Sequence, residues 1–315
     1  MTAKIIVPKI ADDLTDHYLA KHGYEVLTVD NPGEDEILAT APDAAAVMMI
    51  SKKLPNDLYA KMPNLKVLAR RGVGYDNIDV DYAAKHGIWV TNTPGANAHS
   101  VAEAALMDIL LLARNMNAVN VKTRQGDWTG AYHLMGHDVA GATVGIVGFG
   151  HVGQALAQLL TSFGTKTLLY DREPVDTPLG TFVDRDTLFR EADYVSLHLA
   201  AVPETIHSVG QREFDLMKPT AGLINLARGA IVDEPALIDA LQQGSIAGAA
   251  LDVFDKEPLT QDSPLLQMDN VVITPHIGAN TVEANREMAM TAAKMIDAVL
   301  SGETPEFAVN EPVFD

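Results

Sequence analysis

Three short stretches of this 315-residue chain carry side chains whose types suit proton transfer on an anionic small molecule. In VVITPHIGANT (271–281), a strand-like apolar run ends by presenting His276 between Pro275 and Gly278. INLARGAIVDE (224–234) places Arg228 just beyond a second apolar run, and ALDVFDKEP (250–258) places Asp252 and Glu257 beyond a third. An imidazole, unperturbed near pH ~6.5, can take and return a proton at neutral pH. A guanidinium can fork onto a carboxylate or polarise a carbonyl. A carboxylate beside the imidazole can fix its tautomer and favour its charged form. Taken singly, each residue has a plain explanation: a solvated loop histidine, a helix-capping arginine, a turn glutamate before Pro258. Their joint placement after successive apolar runs changes the balance, because the ends of parallel strands converge on one rim.

A fourth stretch supplies a partner for that rim. GFGHVG follows the run TVGIV and precedes the amphipathic QALAQLLTSFG, so Gly148, Gly150 and Gly153 fit the GxGxxG pattern between a strand and a helix. The first glycine permits a tight turn, the second lets backbone approach a pyrophosphate, and the third allows close helix–strand packing. The helix N-terminus presents free N–H groups to the anion. The next strand-like run ends in Asp171, 18 residues after Gly153. A carboxylate there accepts both ribose hydroxyls and repels a 2′-phosphate, which favours NAD over NADP. With a hydride acceptor in place, His276 is the base for a substrate hydroxyl, and Asp252 is positioned to receive the nicotinamide amide.

The elements that must hold these residues follow from periodicity. Residues 4–8, 24–29, 44–50, 65–69 and 88–92 read as buried strands separated by helical patterns such as DDLTDHYLAKHG, which Gly23 stops. The rhythm breaks at a long apolar helix, 100–116, opened by a Ser100/Glu103 capping box, and then at a polar stretch, 117–142, expected to be irregular. A second series of strands follows at 143–148, 166–171, 194–199, 221–227, 246–254 and 271–275, and a helix over 281–300 closes the chain. Alternating β and α with continuously apolar strands specifies parallel sheets covered on both faces. The expected fold is α/β, with two doubly wound parallel-sheet domains of Rossmann or flavodoxin type and the active site in the cleft between them. Residues 1–98 and 283–315 form the substrate-binding domain, and 99–282 the NAD-binding domain.

Bulk properties bound the partners. The formal charge of −19 opposes binding to nucleic acid or anionic membranes, while local arginines can still hold a small anion. The chain has no cysteine, hence no disulfide or thiolate metal site, and no metal-ligand set is expected. It has no apolar run of membrane-spanning length and no signal-like start, so a cytoplasmic protein is expected.

The order GFGHVG, NLARGAIVDE, ALDVFDKEP, TPHIGANT resembles the D-isomer-specific 2-hydroxyacid dehydrogenases over nearly the whole chain, as do ARRGVGYDNID (69–79) and NTPGANAHSVAE (92–103). The resemblance implies an oxidoreductase that transfers hydride between NAD and a small anionic 2-hydroxy or 2-keto acid. It implies that Arg228 binds substrate, that Glu257 and His276 are an acid/base pair, and that the backbone N–H groups of Val73 and Gly74 hold the substrate carboxylate. The implied cofactor contacts are Gly148, Gly150, His151, Val152, Gly153, Asp171, Ala227 and Asp252. It also implies a homodimer, with 117–142 and Trp128 in the contact.

Two departures bear on substrate. Ala200 stands where relatives commonly have proline, which alters a loop near the adenine side. Phosphoglycerate dehydrogenases, otherwise the most similar pattern, commonly place arginine before the serine of MISKK; here that residue is Ile50. Lys52, Lys53, Arg70 and Arg71 are the cations that could substitute. Phosphoglycerate, glyoxylate and hydroxypyruvate therefore all stay open as substrates, and a non-enzymatic NAD(H)-sensing protein resembling corepressors of this fold is the reading from another class.

Overall fold

The computed structural model describes residues 2–9 and 13–313, and divides into two compact units, Met1–Asn97 with Asn280–Asp315, and Ala98–Ala279. In the first unit, strands β1 (Lys4–Pro8), β2 (Glu25–Val29), β3 (Ala46–Met49), β4 (Val67–Arg70) and β5 (Trp89–Thr91) form one parallel sheet in the order β2-β1-β3-β4-β5. That is the flavodoxin-like arrangement. Its inner strands β1, β3 and β4 are largely apolar on both faces because both are covered. Ile5, Val7, Met48 and Val67 pack against Leu19 of the helix Leu14–Lys21 and against Ala292, Ala293 and Ile296 of the helix Val282–Ser301. Ile6, Val47, Met49 and Leu68 pack against Ile37 and Leu58 on the other face. The alternation Ile5/Ile6/Val7 is the period of two that pleating imposes. Asp12, the first residue of the helical pattern DDLTDHYLAKHG, lies outside the described residues.

In the second unit, β6 (Thr143–Val147), β7 (Lys166–Tyr170), β8 (Thr181–Phe182), β9 (Tyr194–Leu197), β10 (Gly222–Asn225), β11 (Gly248–Leu251) and β12 (Val271–Ile273) form a parallel sheet ordered β12-β11-β10-β9-β6-β7-β8. The chain winds from β6 outward through β7 to β8, then returns to lay β9 on the other side of β6. This reversal opens a crevice at the carboxyl ends of β6 and β9, where doubly wound sheets bind ligands. The helices Ala98–Ala113 and His151–Leu160 cover one face through Ile109 and Leu156, and Phe189, Phe214 and Leu237 cover the other.

Local expectations fail in three places. The long helix starts at Ala98, so Ser100 sits inside its first turn rather than capping it. The turn through Gly95, at φ 78°, reverses the chain early enough for the helix to begin there. The stretch 117–142 is not irregular: it holds the helices Met116–Arg124 and Trp128–Tyr132. Their apolar periodicity is poor because few of their side chains are buried. Asn115, at φ 50°, separates the first from the helix before it, and Asp127 caps the second by accepting from Gly130 N at 2.8 Å. The two-residue β8 is too short to leave a periodic signal.

Phe214 is fully buried among the side chains of the second unit. Phe214→Ala should lower unfolding free energy by about 3–5 kcal/mol, the usual cost of a large core truncation. Urea denaturation measures this, and a loss below about 1 kcal/mol would mean that the site collapses around the cavity.

Candidate active site

Arg228, Glu257 and His276 follow β10, β11 and β12, three neighbouring strands of the second sheet. The His276 loop is held from below. Asp252, at the exit of β11, is 1% exposed and accepts three hydrogen bonds from that loop. Thr274 Oγ1 (2.6 Å) and Ile277 N (2.8 Å) donate to its Oδ1, and Gly278 N (2.7 Å) donates to its Oδ2. The Asp252 carbonyl accepts from His276 N at 2.8 Å. Gly278 suits this packing, since a Cβ there would lie tightly against Asp252 Oδ2 and Leu226 Cδ2, both at 3.1 Å.

So held, His276 adopts φ 56°, a left-handed conformation that costs a non-glycine residue of order 1–3 kcal/mol and persists only where surroundings over-determine it. Its side chain projects to solvent, and its Nδ1 lies 2.8 Å from Glu257 Oε2. Glu257 is oriented in turn, because its Oε1 accepts from Phe254 N at 3.2 Å. A carboxylate accepts only, so Nδ1 carries the hydrogen, and in the neutral ring Nε2 holds the free lone pair. The arrangement leaves Nε2 as the ring's free acceptor on a half-exposed side chain.

Arg228 sits on a turn clamped by Asn225. The buried Asn225 amide accepts from Ala227 N and donates to the Arg228 carbonyl, both at 3.0 Å. Arg228 Nη1 donates to the Ala227 carbonyl at 2.7 Å. Gly229 lets this turn close onto the β11 exit, where a Cβ would fall 1.9 Å from the Phe254 carbonyl carbon. One contact therefore brings the arginine turn against the segment leading to Glu257.

The glycine turn fits a dinucleotide pyrophosphate. Gly148 has φ 98° and lies under His198, whose carbonyl oxygen would be 2.5 Å from a Cβ. Gly153 lies against the Gly148 carbonyl, 2.2 Å from where its Cβ would be. A Cβ on Gly150, by contrast, would have open space around it, and the helix His151–Leu160 begins there with no side-chain cap. First-turn N–H groups are thereby left for an anion. His151 is exposed and Val152 packs against the apolar cluster beneath. Asp171 ends β7 beside this turn. Its Oδ2 accepts from Phe149 N at 2.6 Å, which ties the two strand exits together and leaves lone pairs for ribose hydroxyls.

Val73 and Gly74 belong to the other unit, at the exit of β4. Gly72 bends the chain at φ 149°, where a Cβ would meet Arg70 Nη1 at 2.6 Å. Thr93 N donates to the Gly72 carbonyl at 3.0 Å and Asn92 Nδ2 to the Val73 carbonyl at 2.8 Å. The Val73 and Gly74 N–H groups make no hydrogen bond among the described residues.

Residues 106–278 match the model of the D-isomer specific 2-hydroxyacid dehydrogenase NAD-binding domain. A glyoxylate reductase of Thermococcus litoralis is 43% identical over 85% of this chain and 84% of its own. A D-3-phosphoglycerate dehydrogenase of Mycobacterium bovis is 39% identical over 96% of this chain and 58% of its own. The crystal structure of the TT0316 protein from Thermus thermophilus superposes with a TM-score of 0.90 at 34% identity, covering 97% of this chain and 99% of that one.

The chain belongs to the D-isomer-specific 2-hydroxyacid dehydrogenase family. It is an NAD-dependent oxidoreductase acting on the CH–OH group of a 2-hydroxy acid. Among the described residues of this dehydrogenase, no helix is long and apolar enough to cross a membrane.

Sequence reasoning missed three polar residues that organise the site. Asn225 and Thr274 lay within quoted motifs but have no chemistry of their own to mark them. Asp108 did leave a signal, as an acid within the apolar face of SVAEAALMDILLLARN. It is 2% exposed, and its Oδ1 has no hydrogen-bond partner among the described residues. Its carboxyl is pushed up to about 7, first by burial and then by the charge on Asp252. Folded protein thus holds a proton on Asp108 that unfolded chain releases near pH ~4, so stability from this group falls as pH rises from about 4 to about 7. Asp108→Asn should accordingly stabilise the protein more at pH 8 than at pH 5. Urea melts at the two pH values read the difference, and a pH-independent effect would mean that Asp108 does not titrate there.

Proposed function

We propose that this dehydrogenase interconverts a small 2-keto acid and its D-2-hydroxy acid with His276 as the acid/base. The observation that carries the reading is the 2.8 Å contact between His276 Nδ1 and Glu257 Oε2 on a loop pinned by a buried carboxylate. NAD, when bound, accepts or supplies the hydride. His276 Nε2 takes the substrate hydroxyl proton in oxidation and returns it in reduction. Glu257 keeps the Nδ1 hydrogen in place and offsets the positive charge that the ring gains. Arg228 polarises the carbonyl oxygen as charge develops there, which charge-assisted hydrogen bonds do strongly. The N–H groups of Val73 and Gly74 hold the carboxylate. Gly148, Gly150, His151, Val152 and Gly153 cradle the pyrophosphate, Asp171 receives the ribose, and Ala227 and Asp252 border the nicotinamide. Asp252 has an added part in this scheme, since most of its hydrogen-bonding capacity goes to the His276 loop.

For the substrate, relatives named glyoxylate reductase and D-3-phosphoglycerate dehydrogenase support a short 2-keto acid with or without a phosphate. Half-buried Ile50 brings no charge to the end of β3. A cytoplasmic location belongs to the same reading, because NAD(H) is a diffusible cofactor shared among enzymes there.

His276→Ala should reduce kcat about 10²- to 10⁴-fold, the usual contribution of general acid–base catalysis, with NADH binding unchanged. Stopped-flow kinetics and fluorescence titration of NADH measure the two quantities. Full activity in this variant would remove His276 from the mechanism.

We also propose a homodimer formed through the second unit. Trp128, Tyr132 and Met135 are 72%, 84% and 84% exposed, and Met107 and Met116 are exposed nearby in sequence. Apolar side chains gathered in this way are costly to leave in water and mark association surfaces. Sedimentation velocity should show a dimer that Trp128→Glu weakens or dissociates. A monomeric native protein would end this reading.

A further inference from the structure

Among the described residues, Arg71 is a cation with no carboxylate partner. It follows β4 directly and precedes Gly72, the residue that bends the turn carrying Val73 and Gly74. Its guanidinium is half-buried. Nη2 donates to the amide oxygen of Asn285, in the first turn of the helix Val282–Ser301, and Nε is buried with no hydrogen-bond partner among the described residues. Burial alone pulls down the proton affinity of this guanidinium, with no acidic group acting against it.

Several other cations are paired with carboxylates. Lys52 pairs with Glu36 at 3.0 Å, Lys61 with Glu34 at 2.6 Å, Arg185 with Glu213 at 2.6 Å and Lys218 with Asp193 at 2.7 Å. In a chain with 42 acidic and 23 basic residues, a half-buried arginine would readily acquire a carboxylate if its charge served only the fold. Arginine keeps its proton when partly buried, so an anion brought to it gains a charge-assisted hydrogen bond. Asn285 orients the fork without neutralising it. A second polar group lies against this turn from the exit of β5: Thr93 N donates to the Gly72 carbonyl at 3.0 Å, and the Thr93 hydroxyl is buried with no hydrogen-bond partner among the described residues.

We propose that Arg71 is a specificity-determining residue that receives a second anionic group, a carboxylate or a phosphate, at the end of the 2-keto acid remote from its reacting carbonyl. The inference rests on the reading that Val73 and Gly74 hold the substrate's first carboxylate, two and three residues further along the same turn. It also explains how a chain with Ile50 at the end of β3 accommodates a doubly charged substrate: the cation comes from the end of the neighbouring strand β4. Lys52 is already paired, and a flexible exposed lysine lacks the fixed fork that recognises a carboxylate or phosphate.

The test is a steady-state comparison of matched keto acids with NADH in the full-length enzyme. 2-Oxoglutarate is set against 2-oxopentanoate, oxaloacetate against 2-oxobutyrate, and 3-phosphohydroxypyruvate against hydroxypyruvate. Wild type should prefer at least one dianion over its monoanionic counterpart by about tenfold or more in kcat/KM, and the favoured pair tells carboxylate from phosphate. Arg71→Gln should lower kcat/KM for that dianion about 10- to 100-fold, as expected for a lost charge-assisted hydrogen bond, and change the monoanion by less than about threefold. Arg71→Lys should restore part of the preference. Equal losses on both members of the pair would assign Arg71 to structure or to the common carboxylate and overturn the proposal. A wild type that reduces monoanions as well as dianions would overturn it too while leaving the reductase reading intact. A wild type that reduces none of the six would overturn both.

Discussion

A buried carboxylate receives three hydrogen bonds from a loop that must carry a histidine in an unfavourable backbone conformation. Asp252 is almost wholly removed from water, where an ionised carboxylate is stable only if its lone pairs are used. Thr274 Oγ1, Ile277 N and Gly278 N use them. The loop that supplies those donors has little freedom left, and His276 between them is carried into the left-handed region. Strain and hydrogen bonding are two sides of one arrangement. The bonds meet the cost of the conformation, and the conformation turns the imidazole outward toward Glu257.

The remaining machinery depends on how tightly strand exits can approach one another. Gly229 lies where a side chain would enter the backbone of Phe254, and Gly153 lies equally close to the Gly148 carbonyl. Each glycine lets two segments meet at backbone distance. Asn225 and Asp171 then bridge neighbouring segments through polar bonds, the first around the arginine turn and the second between the β7 exit and the glycine turn. Rigid parallel strands set the coarse positions, and these few contacts set the fine ones. A site built in this way needs little loop ordering when its ligands arrive, which favours catalysis by pre-organised charge.

Charge is distributed with the same economy. The chain is strongly acidic overall, yet Arg228 and Arg71 stand at strand exits in separate units. Acidic surroundings discourage indiscriminate anion binding, which in the proposed reading leaves selectivity to guanidiniums placed at such exits. Asp108 works in the opposite direction. A second acid close to Asp252 would add repulsion if ionised, and burial keeps it protonated into the neutral range.

Much was legible before any coordinates. Apolar runs spaced by amphipathic stretches determined two parallel sheets, because only strands covered on both faces are continuously apolar. GxGxxG followed by Asp171, and the succession Arg228, Glu257, His276, marked the candidate cofactor turn and the proposed reacting groups, because each role needs a particular residue type at a strand exit. Helix ends were less legible. The helix beginning at Ala98 and the two helices in 117–142 owe their limits to a glycine turn, a left-handed asparagine and a short cap, which are local features with weak periodicity. Tertiary structure alone decided what Asp252, Asn225 and Thr274 do, since a carboxylate, an amide and a hydroxyl acquire meaning only from the donors and acceptors brought to them. It also decided that, among the described residues, Arg71 faces an amide rather than an acid. Arg71 and Lys52 are equally charged in the sequence, and only packing put Glu36 against one and the neutral Asn285 against the other.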